Sequence, residues 1–172
     1  MKLHGTMRID NNRLLIGDVP VEQLRAEYGT PLYIIDQEHF VHKAKIFLDN
    51  FRSEKFETHI SYASKAFSNL YILGLAREVG LFLDVVSGGE LYTALAAGYD
   101  PAKISLHGNN KSPEELEMAL NNKVGRIIVD HRTEYLLLST LAAQKQKKIK
   151  VLLRVNPGIE ADTHKYIQTT KE

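Results

Sequence analysis

The stretch "LFLDVVSGGELYTALAAGYDPAKISLHG", residues 81–108, decides the fold class. Two short apolar runs, 81–87 and 103–108, flank a segment, 89–97, in which apolar residues recur at intervals of three and four. Short apolar runs are typical of buried strands, and the three-to-four spacing is typical of a helix with one buried face. Because two neighbouring parallel strands need a long crossover, a strand–helix–strand order predicts a parallel sheet.

The same alternation extends in both directions, with strands about twenty residues apart. We predict further strands at 58–66, 126–130 and 150–156, and helices at 69–79, 113–122 and 132–146. Ser112, Pro113 and Glu115 suit the start of the helix at 113, as cap, first-turn proline and acid at the positive end of the dipole. Residues 31–51 add one earlier strand that leads into an amphipathic helix. An α/β fold follows, either an open doubly wound sheet or part of a (β/α)8 barrel, since a whole barrel takes about 250 residues.

The two ends of the chain do not follow this repeat. The first thirty residues indicate a short antiparallel piece followed by a helix, and the polar sequence 159–172 ends without a closing helix. We therefore expect two units, an N-terminal segment at 1–30 and the first part of a barrel at 31–172, in a chain that is cut short.

Composition narrows the function classes. The 172 residues are 44% hydrophobic with a net charge of +1, which gives no electrostatic reason to expect nucleic acid or an anionic membrane as partner. The chain has no cysteine, which excludes disulfides, thiolate metal sites and a cysteine nucleophile within it. No apolar run is long enough to span a bilayer, and the seven histidines lack ligand spacing, so we expect a cytoplasmic protein without a metal that binds a small molecule.

Polar residues recur where the predicted strands end. Parallel strands share one carboxyl edge, and α/β folds place their ligand sites there. A lysine that loses hydration at such a site favours the neutral amine that can form a Schiff base, while neighbouring carboxylates suit a cationic cofactor ring. The pattern therefore suggests pyridoxal chemistry at an edge formed by Lys65, Asp84, Ser87, Glu90, His107, Asn109, Asp130, Arg154 and Asn156.

Simpler interpretations stand beside this one. Lys65 could be an ordinary surface lysine, and Glu90 only a first-turn helix acid. Gly88 and the glycine after it could cradle a phosphate at a helix N-terminus, but a tight strand-to-helix turn is the preferred interpretation. His107 could be a loop histidine without a role in binding, and Arg154 could pair with an acid inside the barrel.

Four motifs in register resemble the diaminopimelate decarboxylases, which are pyridoxal-phosphate enzymes with an alanine-racemase-like barrel, also called fold type III. The motifs are YASKAF at 62–67, DVVSGGEL at 84–91, HGNNKS at 107–112 and LLRVNPGIEADTH at 152–164. The resemblance implies a partial (β/α)8 barrel, with residues 1–30 belonging to a second, β-rich domain. It also implies a homodimer with shared active sites. The family pattern continues with a DSKFG-type stretch, a ring-stacking histidine, a glycine-rich phosphate loop and a glutamate, none of which is present here.

The resemblance also implies roles for individual residues. Lys65 would carry the cofactor and act in catalysis, and a further set would line the cofactor pocket: Asp84, Glu90, His107, Asn109 and Arg154. The implied reaction is the decarboxylation of meso-2,6-diaminopimelate to L-lysine and CO2, the last step of lysine biosynthesis, with this chain an inactive fragment. The alternatives are a decarboxylase of ornithine, lysine, arginine or carboxynorspermidine on the same fold, and a noncatalytic regulatory homologue.

Overall fold

A five-stranded parallel sheet forms the centre of the molecule. The computed structural model describes residues 2–155. The sheet contains β4 (Ser61–Ala63), β5 (Phe82–Val85), β6 (Ile104–Leu106), β7 (Arg126–Val129) and β8 (Val151–Leu153) in sequential order. All four strand pairs are parallel. A doubly wound sheet reverses its strand order at a switch point, whereas a barrel adds each strand beside the last, so the order identifies part of a (β/α)8 barrel.

A helix follows each of the first four strands of the sheet, as the alternation predicts. These helices are α3 (Leu70–Val79), α4 (Gly88–Ala96), α5 (Pro113–Asn121) and α6 (Arg132–Gln144). The predicted helix at 113 begins as expected, because Ser112 accepts the Glu115 backbone N–H and Glu115 accepts the Ser112 N–H in a reciprocal capping box.

The core lies between the strands and these helices. Burial alternates along the strands, so that Leu83 and Val85 of β5 are inaccessible while Phe82 and Asp84, which alternate with them, are half-buried. The buried strand residues form one cluster with helix residues such as Leu91. This alternation leaves the opposite face of the sheet, which carries Asp84, free for polar side chains.

A small antiparallel sheet precedes the barrel. It contains β1 (Arg8–Asp10), β2 (Arg13–Ile16) and β3 (Val19–Pro20), followed by α1 (Val21–Tyr28). This confirms the antiparallel piece and helix that the sequence predicts for the first thirty residues. Helix α2 (Gln37–Asn50) comes next, and its cap Asp36 accepts hydrogen bonds from the N–H and the hydroxyl of Thr6, both at 2.8 Å. This carboxylate therefore joins the small sheet to the first barrel helix.

One predicted strand is wrong. The apolar run at 31–35 forms no strand, and its side chains are exposed, with Tyr33 97% accessible. A strand requires a hydrogen-bonded neighbour, and within residues 2–155 no strand pairs with this run. The predicted strand at 58–66 is also too long, because β4 ends at Ala63 and Ser64–Ala66 form a 3-10 turn. None of the helices described has the length and apolar content needed to cross a membrane.

Candidate active site

The sheet register brings the ends of β4, β5 and β6 together. Ala63 lies opposite Asp84, and Val85 lies opposite Leu106. The turn that carries Lys65 therefore begins beside Asp84, and His107 follows directly on the next strand. The structure brings together three of the predicted site residues, each from a different strand end.

Asp84 and His107 form the closest polar pair of this group. His107 Nδ1 lies 3.6 Å from Asp84 Oδ2, and the His107 backbone N–H donates to Val85 O at 2.7 Å. Burial raises the pKa of Asp84 above its ordinary value, and the adjacent His107 ring and the Lys65 ammonium oppose that shift. Because Ala63 lies opposite Asp84 and Lys65 follows two residues later, an amine and a carboxylate share this strand edge.

Lys65 is exposed, so the expected loss of hydration around its amine is wrong for the described chain. The side chain projects from the 3-10 turn Ser64–Ala66 rather than from the strand. No element within residues 2–155 covers it, although the predicted acidic neighbour Asp84 is in place.

Glu90 connects two strand ends. Its Oε2 accepts a hydrogen bond from the Ser64 hydroxyl and a second from the Val86 N–H at 3.0 Å. Ser64 is completely buried and directly precedes Lys65. Glu90 is therefore not only a first-turn helix acid, because its carboxylate also fixes Ser64, the residue next to the lysine. Its predicted contact with the cofactor stays a prediction.

The glycine pair at 88 and 89 begins helix α4. The Gly88 N–H donates to Glu115 Oε1 at 2.6 Å, and a Cβ added at Gly88 would lie 3.0 Å from Glu115 Cγ. The Gly88 N–H is already bonded to Glu115, and the Glu115 side chain fills the adjacent space. The structure therefore supports the tight strand-to-helix turn rather than a phosphate cradle.

The remaining predicted residues lie along the same edge. Asn109 is exposed in the loop after β6. Arg154 Nη1 donates to Asp130 Oδ1 at 2.7 Å, because Val129 and Leu153 are opposite each other in the sheet and the two polar residues follow them. The alternative pairing of Arg154 with an acid is therefore observed. Asn156 and the rest of its motif lie outside the described residues.

A buried ion pair was missed by the sequence reasoning. Lys111 Nζ lies 2.8 Å from Glu134 Oε1, and the two side chains are only 1% and 2% accessible. Lys111 is part of the HGNNKS motif, but a single lysine in a polar loop gives no sequence signal of burial, and Glu134 is 23 positions further along the chain.

These side chains fit a cofactor with an aldehyde and a cationic ring. Lys65 supplies a primary amine, Asp84 a carboxylate beside it, and His107 a flat ring with two nitrogens. An exposed amine at the carboxyl edge of a barrel is accessible to an aldehyde, and an adjacent carboxylate stabilises positive charge.

Comparison with known families identifies the class of protein to which this fold and site belong. The chain belongs to the pyridoxal-dependent decarboxylase family, whose pyridoxal binding domain matches residues 37–172. This result supports the predicted cofactor, pyridoxal 5'-phosphate.

Three relatives at 32–50% identity are named diaminopimelate decarboxylase. The chain is 50% identical to a diaminopimelate decarboxylase of Bacillus subtilis, an alignment that covers all of this chain and 39% of the relative. A diaminopimelate decarboxylase from M. jannaschii, solved in complex with L-lysine, superposes with a TM-score of 0.84 at 32% identity over 94% of this chain and 38% of that one. The Helicobacter pylori enzyme, also complexed with L-lysine, gives 0.80 at 34% identity over 87% of this chain and 38% of that one. The chain thus spans about two fifths of the length of these relatives.

Proposed function

We propose that the complete polypeptide containing this chain decarboxylates meso-2,6-diaminopimelate to L-lysine and CO2, with pyridoxal 5'-phosphate held on Lys65. The observation that carries the proposal is the meeting of Lys65, Asp84 and His107 at adjacent strand ends in a chain of the pyridoxal-dependent decarboxylase family. The relatives named diaminopimelate decarboxylase, two of them solved with L-lysine, support the choice of substrate. This reaction is the last step of lysine biosynthesis.

The reaction breaks one carbon–carbon bond and consumes one proton. The substrate carboxylate leaves as CO2, the electron pair stays on the α-carbon, and a proton then takes its place. When bound, pyridoxal phosphate supplies the electron sink that stabilises this charge.

The residues of this chain have separate tasks in the proposal. Lys65 holds the cofactor covalently through its amine, and Asp84 provides the negative charge beside that amine. His107 would orient Asp84, since its Nδ1 lies 3.6 Å from Asp84 Oδ2, and would line the cofactor pocket. Glu90 fixes the turn that carries Lys65 through its bond to Ser64.

Two further residues complete the proposed pocket. Asn109 lines it from the exposed loop after β6, and Arg154 lines it from the end of β8 while paired with Asp130. The predicted contact of Glu90 with the cofactor belongs to this proposal as well.

Three organisational expectations belong to the same proposal. Residues 1–30 pack with a second, β-rich domain, which is supported by a sheet that pairs only within itself among the described strands. The complete protein is a cytoplasmic homodimer with shared active sites, which is supported by the motif resemblance. Sedimentation of the complete protein tests the dimer, and a monomer with full activity would refute it.

Reductive trapping tests the assignment of Lys65. The complete polypeptide is incubated with pyridoxal phosphate, reduced with borohydride and digested, and the labelled peptide is identified by mass spectrometry. We expect the label on Lys65 and its loss in Lys65→Ala. The exposed helix residue Lys45 provides the matched control, since Lys45→Ala is expected to keep the label. A label on any other lysine refutes the assignment.

A substrate panel tests the reaction. CO2 release is measured with meso-diaminopimelate, ornithine, lysine, arginine and carboxynorspermidine. We expect the highest kcat/KM with meso-diaminopimelate. A preference for another substrate would assign the protein to one of the related decarboxylases, and cofactor binding without any CO2 release would indicate a noncatalytic homologue.

A further inference from the structure

The loop after β6 is held by a buried ammonium. Lys111 Nζ donates a hydrogen bond to the carbonyl of Gly108 and lies 2.8 Å from Glu134 Oε1 of helix α6. The ammonium donates to the Gly108 carbonyl, and the Glu134 carboxylate, whose oxygens accept no hydrogen bond within residues 2–155, holds the ammonium by charge. Lys111 therefore fixes the peptide group between Gly108 and Asn109.

That peptide is in the middle of the HGN segment. His107 precedes it and faces Asp84, while Asn109 follows it. The backbone of Gly108 has a φ of +103°, and a Cβ added there would lie 2.8 Å from the carbonyl oxygen of Val86. The loop therefore takes a conformation that favours glycine, in close contact with the end of β5, and it needs a fixed support.

Stability alone does not account for a charged pair in this place. The desolvation of two buried charges offsets most of their attraction, and apolar residues of similar volume often fill such a space equally well. An apolar pair, however, cannot donate to the Gly108 carbonyl.

We propose that Lys111 is a positioning residue for the cofactor pocket: held by Glu134, it locks the His107–Asn109 loop in the conformation that faces pyridoxal phosphate. The inference rests on the proposed function for its cofactor, but the locking of the loop is a property of the protein alone.

Two variants separate the contact from the charge balance. Glu134→Gln keeps the Lys111 donor to Gly108 but removes the negative charge that holds the ammonium. The double variant Lys111→Met with Glu134→Gln removes the Gly108 contact without leaving a carboxylate unpaired. Lys145→Met is the matched control, because it deletes a lysine ion pair, 3.1 Å from Glu117, that is partly exposed.

Hydrogen exchange of the cofactor-free complete polypeptide is the first measurement. We expect the amides of residues 107–110 to exchange about tenfold faster in the double variant, the loss of about one charged hydrogen bond. Lys145→Met is expected to stay within about threefold of the wild type, and Glu134→Gln, which leaves the buried ammonium without its counter-charge, is expected to exchange faster than that control. Unchanged exchange in the double variant would overturn the locking of the loop.

Titration with pyridoxal phosphate, followed by absorbance at a temperature well below unfolding, is the second measurement. The double variant should bind about tenfold more weakly, and Lys145→Met should bind as well as the wild type. If the double variant loosens the loop but binds the cofactor normally, the pocket role is refuted while the locking holds. If the wild-type protein itself takes up no cofactor at Lys65, the proposed function fails and the pocket role with it, while the exchange data still decide the locking.

Discussion

Replacing Glu90 by alanine should both destabilise the protein and weaken its hold on the cofactor. Glu90 Oε2 accepts from the Ser64 hydroxyl and from the Val86 N–H, and Ser64 is completely buried. A buried donor that loses its acceptor costs roughly 1–3 kcal/mol, so two donors, one of them half-buried, give a loss of about 3 kcal/mol in the free energy of unfolding. Because Ser64 precedes Lys65, the occupancy of the lysine by pyridoxal phosphate should fall as well.

A double-mutant cycle isolates this contact. Glu90→Ala, Ser64→Ala and the double variant are unfolded with guanidinium chloride in the complete polypeptide, and the coupling energy is taken from the four free energies of unfolding. We expect a coupling of about 1–2 kcal/mol. The exposed Glu78, 3.6 Å from Arg77, supplies the control, and Glu78→Ala should change stability by less than about 0.5 kcal/mol.

Two results would refute this reasoning. A coupling energy near zero would mean that Glu90 and Ser64 do not depend on each other. A Glu90→Ala variant in which pyridoxal phosphate occupies Lys65 as fully as in the wild type would mean that the Glu90–Ser64 contact does not position the lysine.

Three further predictions test other parts of the structure. Burial raises the pKa of Asp36, but the hydrogen bonds to its carboxylate outweigh burial, so the pKa is lowered. The wild type should therefore be more stable than Asp36→Asn by roughly 1 kcal/mol above about pH 4, and this advantage should disappear as the pH falls through the lowered pKa. A difference in stability that does not change with pH would contradict this. Gly125→Ala puts a Cβ 2.1 Å from the Ala102 carbonyl oxygen and should lower the free energy of unfolding, measured with denaturant, by about 2–3 kcal/mol. Gly74→Ala, in a helix with open space around the new Cβ, should raise it by about 0.5–1 kcal/mol, and equal effects of the two substitutions would refute the clash. Burial is the main cause of the raised pKa of Asp84, so the ionised carboxylate destabilises the fold at neutral pH, and this effect disappears as the pH falls through that pKa. Asp84→Asn should therefore unfold at a higher denaturant concentration than the wild type at pH 7 but bind less cofactor. A lower unfolding midpoint at pH 7 would contradict the raised pKa.

The architecture could be predicted because its signals are local. Apolar runs bounded by cap residues mark each strand and helix, and helices α3 to α6 lie within two residues of the predicted bounds. The strand edge with Lys65, Asp84 and His107 was also predictable, since parallel strands in sequential order must place their ends side by side. The failure at 31–35 has the opposite cause, because a strand depends on a partner that its own sequence does not specify.

Side-chain contacts between distant segments could not be predicted in this way. The exposure of Lys65 depends on a 3-10 turn that an alternating pattern cannot distinguish from a longer strand. The bonds of Glu90 to Ser64 and of Lys111 to Glu134 join residues 26 and 23 positions apart. These contacts depend on the sheet register and on the position of the glutamate in the first turn of each helix.

The pattern behind these contacts is a glutamate at the third position of three successive helices. Glu90, Glu115 and Glu134 each follow a cap residue by three positions, the spacing that marks a helix start. Each one also contacts the segment that follows the neighbouring earlier strand of the sheet: Glu90 contacts Ser64 after β4, Glu115 contacts Gly88 after β5, and Glu134 contacts Lys111 after β6. Because a crossover helix starts at the carboxyl edge, an acid in its first turn lies beside the previous loop as well as its own cap. The acids that define the helix starts are therefore the ones that hold the proposed cofactor-binding loops in place, so a substitution that only weakened a helix cap would also be expected to loosen the site.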